Sequence, residues 1–167
     1  MAADKATQLA KLETDPASSQ TAAHSPWESL NPKKLQLKST AALVLDQQGE
    51  AVYAKQVSEA QPIASITKLM TAMVILDSDL DLQEKITITK QDRDLIQLTG
   101  SRLKYGATLT RGQMLQLALM SSENRAAAAL ARTWPQGKEA FVAAMNTKAV
   151  SLGMHSSHFY DPAGLDA

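Results

Sequence analysis

Cysteine is absent from the 167 residues, which excludes disulfides and thiolate metal sites without assigning a compartment. Net charge is absent too, because 17 basic and 17 acidic side chains balance. No basic block and no alternation of aromatic and basic residues occurs, which argues against nucleic acid as a partner. No apolar run reaches the ~18 residues of a membrane helix, so no transmembrane segment is expected. Met1 opens no basic-then-apolar stretch; an export signal is expected to have been removed or to lie outside this chain. What is present, 44% hydrophobic and 20% charged residues, is the balance of a soluble globular protein, and the length allows one ordinary domain and hardly two.

Residues 1–38 are rich in Ala, Ser, Thr, Gln and Pro without sustained periodicity and read as a flexible N-terminal leader. Trp27 is the exception there, a residue able to dock on a domain. From Ser39 the pattern changes. Ala41–Leu45 and Ala51–Ala54 flank a Gly49-containing turn and predict a β-hairpin. A helix is expected from about Ser65 to Asp77, then a solvated acidic connection to Glu84 and a short strand over Ile86–Thr89. Thr108 to Met120, Asn124 to Thr133 and Lys138 to Leu152 read as three helices, the last closed by Gly153. A hairpin followed by helices predicts an α+β domain, with helices packed on an antiparallel sheet.

Within that layout, Ser65-Ile66-Thr67-Lys68 precedes the apolar run Leu69–Leu76. Residues three apart share a helix face, and a helix apolar nearly all round is buried. Burial favours a neutral lysine amine, and a neutral amine beside a serine hydroxyl can take its proton. Ser65 therefore reads either as a helix N-terminus or as a nucleophile. Ser101-Arg102-Leu103-Lys104 repeats the spacing without an apolar run behind it and reads as a polar turn with a solvated lysine.

Ser121-Ser122-Glu123-Asn124 lies between two predicted helices, with Ser122 57 residues beyond Ser65. Ser122 reads as an N-cap of the alanine-rich helix or as a cleft residue, and Ser121 could cap while Ser122 faces the cleft. Glu123 is expected to point away into solvent. Ser29-Leu30-Asn31 is a second Ser-x-Asn in the leader, followed by Pro32. His24, His155 and His158 lack the carboxylate or cysteine partners of a metal site. Met70, Met73, Met114 and Met120 read as gap-filling core.

Ser65-x-x-Lys68 followed by Ser122-x-Asn124 resembles the first two motifs of the penicillin-binding proteins and serine β-lactamases. The segments Pro62–Thr71, Leu119–Ala127 and Tyr160–Leu165 are similar to the low-molecular-mass D,D-peptidases. The Ser-Glu-Asn-Arg form is similar to the D-alanyl-D-alanine endopeptidase branch. The resemblance covers about Ser39 to the last residue, and residues 39–167 are expected to be part of a D,D-peptidase domain. It implies a five-stranded antiparallel sheet with a helical lobe, of which only the first two strands are expected here. The family's third motif, Lys-Thr-Gly or Lys-Ser-Gly, is missing. The only Thr-Gly is Thr99-Gly100, which precedes the second motif. The chain is therefore expected to be an amino-terminal portion of a longer enzyme.

By resemblance, Ser65 is the nucleophile toward a D-Ala-D-Xaa bond, and Lys68 is the general base, with a pKa below its usual ~10.4. Ser122 relays a proton to the leaving amine, and Asn124 holds the substrate amide and the lysine side chain. The implied substrates are peptidoglycan cross-link peptides, with β-lactams as covalent inhibitors, a periplasmic location, and no metal or organic cofactor. Without the third motif the chain itself is expected to be weakly active or inactive. Two other functions fit the same residues: a serine β-lactamase, and a non-catalytic module that binds wall material or a partner hydrolase.

Overall fold

Two apolar runs on either side of Asp46-Gln47-Gln48-Gly49-Glu50 build the first element, as the sequence predicts. In the computed structural model, which describes residue 31 and residues 34–166, β1 (Ala42–Leu45) pairs antiparallel with β2 (Ala51–Lys55). The Asp46 carboxylate closes the turn by accepting from the N–H groups of Gln48 and Glu50, at 2.9 and 2.8 Å. The expected leader lies largely outside the described residues, and so do His24, Trp27 and Ser29. The hairpin belongs to a unit ending at Gln61, and a second unit begins at Pro62.

The second unit holds the apolar core. A 3-10 turn, Ala64–Ile66, leads into α1 (Thr67–Leu76). The short strand β3 (Lys85–Thr87) pairs with β4 (Thr108–Thr110), with Ile86 opposite Leu109. Three helices follow: α2 (Arg111–Met120), α3 (Asn124–Arg132) and α4 (Lys138–Ser151). The expectation of a helix from Thr108 is thus corrected. Thr108-Leu109-Thr110 alternates as a strand does, and a capping box starts the helix one residue later. Thr110 Oγ1 accepts from Gln113 N–H, while Gln113 Oε1 accepts from Thr110 N–H.

Helix α3 is the centre of the unit. Its Ala126, Ala127, Ala129 and Ala131 are buried, and such small side chains let it pack against α1, α2 and α4 at once. Phe141 and Met145 of α4 complete this core, with Trp134 edge-on to Phe141 at 5.3 Å. Each such large apolar side chain contributes about 1.5–3 kcal/mol on burial. Gly153, at φ 76°, ends α4 as expected; its N–H reaches Val150 O and that of Met154 reaches Ala149 O, a Schellman closure.

Three expectations about burial fail. Helix α1 is not covered all round: Ile66, Leu69, Met73 and Leu76 are exposed along one stripe, while Met70, Thr71, Val74 and Ile75 face the core. Of the four methionines read as core, Met70 and Met114 are buried, but Met73 lies on that stripe and Met120 is 78% exposed at the end of α2. The acidic connection is not wholly solvated either, because Glu84 pairs with the buried Arg111 at 2.5 Å. Among the described residues, no helix is long and apolar enough to cross a membrane.

Candidate functional site

Three chain segments of the second unit meet at Ser65. The 3-10 turn carries the residue itself, held exposed just after Ala64, whose φ of +45° is costly for a non-glycine. Lys68 follows in the first turn of α1 and is only 2% exposed. The Ser121–Glu123 loop between α2 and α3 brings Ser122, also in the left-handed region at φ +54°. Strain in both loops marks them as held by the rest of the fold.

The three side chains form a closed triangle. Lys68 Nζ lies 3.0 Å from Ser65 Oγ and 3.3 Å from Ser122 Oγ, and Ser122 Oγ lies 2.8 Å from Ser65 Oγ. The third ligand of the amine is Ala163 O at 2.9 Å, which can only accept. A neutral amine has two N–H bonds and one lone pair. Donating to Ala163 O and Ser122 Oγ leaves the lone pair for the Ser65 hydroxyl proton. Ser65 is not a cap, because no side chain caps either the 3-10 turn or α1.

A carboxylate that sequence reasoning passed over fixes Ala163. Asp161 is buried and accepts four backbone N–H groups, from Ala163 and Gly164 on one oxygen and from Leu165 and Asp166 on the other. Thr71 Oγ1 ties the loop to α1 by donating to Pro162 O at 2.7 Å. The Asp-Pro-Ala-Gly-Leu string carries a turn signal, but no sequence pattern says which carbonyl will meet a lysine.

Glu123 contradicts its expected solvation. It is buried, caps α3 by accepting from Arg125 N–H, and accepts from Ser101 Oγ at 2.6 Å. The cap of α3 is therefore neither Ser121 nor Ser122. Ser121 Oγ instead donates back to Leu117 O, at the end of α2. A buried carboxylate needs donors, and the Ser101–Leu103 loop supplies them. Lys104 itself is exposed, as the sequence predicts. A cleft of about 360 Å³ runs between Gly100–Arg102 and Ser121–Asn124.

Asn124 lines that cleft, but it does not hold Lys68. Its Nδ2 donates to Thr99 Oγ1 at 2.9 Å, and its Oδ1 is buried without a partner. Ala163 O occupies the amine position that the lysine would have offered. His158 stacks edge-on against Tyr160, and no group of three metal-ligating side chains forms among the described residues.

Burial pushes the Lys68 amine below the ordinary lysine pKa, while the carboxylates of Asp161 and Glu123 pull it partly back up. Glu123→Gln removes one of those charges while keeping the oxygen that accepts from Ser101. The expected result is a Lys68 titration midpoint at lower pH, read from its 13Cε chemical shift. An unmoved or raised midpoint would contradict this electrostatic assignment.

Sequence comparison adds an independent line. The profile of a family described as D-alanyl-D-alanine carboxypeptidase matches residues 26–167. A D-alanyl-D-alanine endopeptidase of Pseudomonas aeruginosa is 50% identical over 135 residues, which is 80% of this chain and 44% of that protein. One from Escherichia coli is 44% identical over 131 residues, 78% of this chain and 42% of that protein. This chain therefore spans less than half the length of these relatives. Among solved structures, a mutant of a Streptomyces DD-transpeptidase superposes with a TM-score of 0.71 at 30% identity, covering 80% of this chain and 56% of that one.

Proposed function

This chain belongs to the D-alanyl-D-alanine carboxypeptidase family, and on that premise we propose that the protein is a serine D-alanyl-D-alanine endopeptidase acting on peptidoglycan cross-links. The observation that supports this most is the Ser65–Lys68–Ser122 triangle with a buried amine. Ser65 Oγ attacks the carbonyl of the D-alanyl residue as its proton passes to Lys68 Nζ. The tetrahedral intermediate collapses when the leaving amine receives a proton through Ser122, which lies within reach of both other groups. The acyl-enzyme ester is then hydrolysed by water, which transfers its proton into the same cluster and restores the Ser65 hydroxyl.

The proposal extends to the environment: peptidoglycan peptides as substrates, β-lactams as agents that trap Ser65, and a periplasmic setting. It includes the division of the chain at residue 39 into leader and peptidase portion. A second oxyanion donor, by resemblance, comes from the Lys-Thr-Gly strand missing from this sequence. Losing one such donor lowers rates about a hundred- to a thousand-fold, so this chain as it stands is expected to acylate slowly.

The test is labelling by a fluorescent penicillin, run on this chain and on the chain continued to the length of its relatives. Labelling that disappears in Ser65→Ala is expected in at least the longer protein. Absence of labelling in both would contradict the reading and favour a non-catalytic module. Rapid nitrocefin turnover would instead indicate a β-lactamase.

A further inference from the structure

Between β3 and β4 the chain makes one long excursion, residues 89–105. Its base is closed where Ile88 N–H donates to Ala107 O at 2.9 Å and Gly106 N–H to Ile88 O at 2.8 Å. The charges of the excursion are sorted by burial: Lys90, Arg93, Arg102 and Lys104 are exposed, whereas its carboxylates, Asp92 and Asp94, are buried. Arg132 of α3 neutralises Asp92. Asp94 is turned inward on its own loop, accepting from the N–H groups of Ile96, Gln97 and Thr99 and from Thr99 Oγ1. None of the exposed cations forms a salt bridge among the described residues. The excursion therefore carries a surplus of positive surface charge in a chain whose net charge is zero.

The same excursion exposes large apolar side chains at its tip: Leu95 is 73% exposed, Ile96 50% and Leu98 67%. They stand on ordered backbone. The Asp94 bonds fix the chain around them, and Gln97 Nε2 donates to Leu165 O at 3.3 Å. Leu98 is held at φ +54°, a region costly for a residue with a Cβ. Clustered apolar side chains held in water mark a contact surface, and the charge beside them narrows the occupant. A polar wall glycan or peptide satisfies the cations but buries none of the aliphatic side chains. An anionic bilayer does both, taking apolar groups below its head groups and Lys and Arg against its phosphates. We propose that the 89–105 excursion is a membrane-surface anchor, with Leu95, Ile96 and Leu98 entering the interface of an anionic bilayer and its four cations lying against the head groups. The contact is peripheral and reversible, because the inserted side chains are few and salt screens the attraction. It does not depend on the peptidase reading. Gly100–Arg102, which lines the cleft, continues directly from this tip, so binding holds the cleft close to the bilayer.

Co-sedimentation with vesicles tests the anchor, on the chain continued to the length of its relatives. Binding is expected to vesicles of phosphatidylglycerol and phosphatidylcholine in equal parts, and to be about tenfold weaker or less to phosphatidylcholine alone. Arg93→Gln combined with Lys104→Gln should weaken it about 25-fold, at roughly fivefold per cation, and raised salt should weaken it likewise. Leu95→Ser combined with Ile96→Ser should weaken it about tenfold, with an unchanged near-UV circular dichroism spectrum as the check on fold. No binding to the anionic vesicles would overturn the proposal. So would binding that the Leu95→Ser, Ile96→Ser variant retains in full, which would mean electrostatic attraction without insertion. Retention on isolated peptidoglycan in place of vesicles would identify a wall-binding patch and overturn it equally.

Discussion

Lys68→Arg is expected to lower the second-order rate of Ser65 acylation by a factor of about 10²–10⁴, the usual contribution of a general base. The substitution supplies a permanent positive charge on a long stem but removes the lone pair, because a guanidinium is not deprotonated in a protein. In the deprotonated amine that lone pair has one available use. Ala163 O and Ser122 Oγ take the two N–H bonds of the neutral amine, and Ser65 Oγ lies at 3.0 Å on the remaining side. Lys68→Met should lose as much while leaving the stem buried, which separates a chemical loss from a folding loss. The measurement is the time course of penicillin labelling with near-UV circular dichroism as a check on fold. A Lys68→Arg variant that acylates within tenfold of wild type would mean that the lysine acts as a charge and not as a base.

Gly164→Ala should be the most damaging single-methyl change in the chain, at about 2–5 kcal/mol of stability. Gly164 has φ +74°, a region costly for any residue with a Cβ. Space is the larger problem. A Cβ there would lie 1.9 Å from Ala64 O and 2.7 Å from Thr67 Oγ1, and the first of these is backbone. The Asp161 loop would have to withdraw from the turn that carries Ser65, taking Ala163 O away from Lys68. Gly49 is the internal control: its φ is +87°, but nothing lies within 4 Å of the position a Cβ would take. Gly49→Ala should therefore cost only the conformational penalty, about 1–2 kcal/mol. Urea midpoints of the two variants check the difference, and equal losses would contradict the close-approach argument.

Periodicity and spacing were informative wherever one chain segment determines the outcome. The hairpin around Gly49, the helix after Ser65, the Gly153 closure and the pairing of Ser65 with Lys68 depend on residues a few positions apart. Contacts between segments were less legible. Thr108–Thr110 is a strand because Lys85–Thr87 lies beside it, although it reads as the start of a helix. Glu123 looks like a surface charge until the Ser101 loop supplies its donors. The carbonyl of Ala163 has no side-chain signature, and the hydrogen bond from Asn124 to Thr99 joins residues of different segments. Met120 shows the opposite error, since an apolar residue at a helical position is exposed at the helix end.

Two serines stand within hydrogen-bond distance of the same amine, so the identity of the acylated residue is the most exposed point of the account. The direct measurement is peptide mapping by mass spectrometry after penicillin treatment, on the chain continued to the length of its relatives. One penicilloyl group is expected, on the peptide containing Ser65. An adduct on Ser122 or Ser101, or none on any serine, would contradict it.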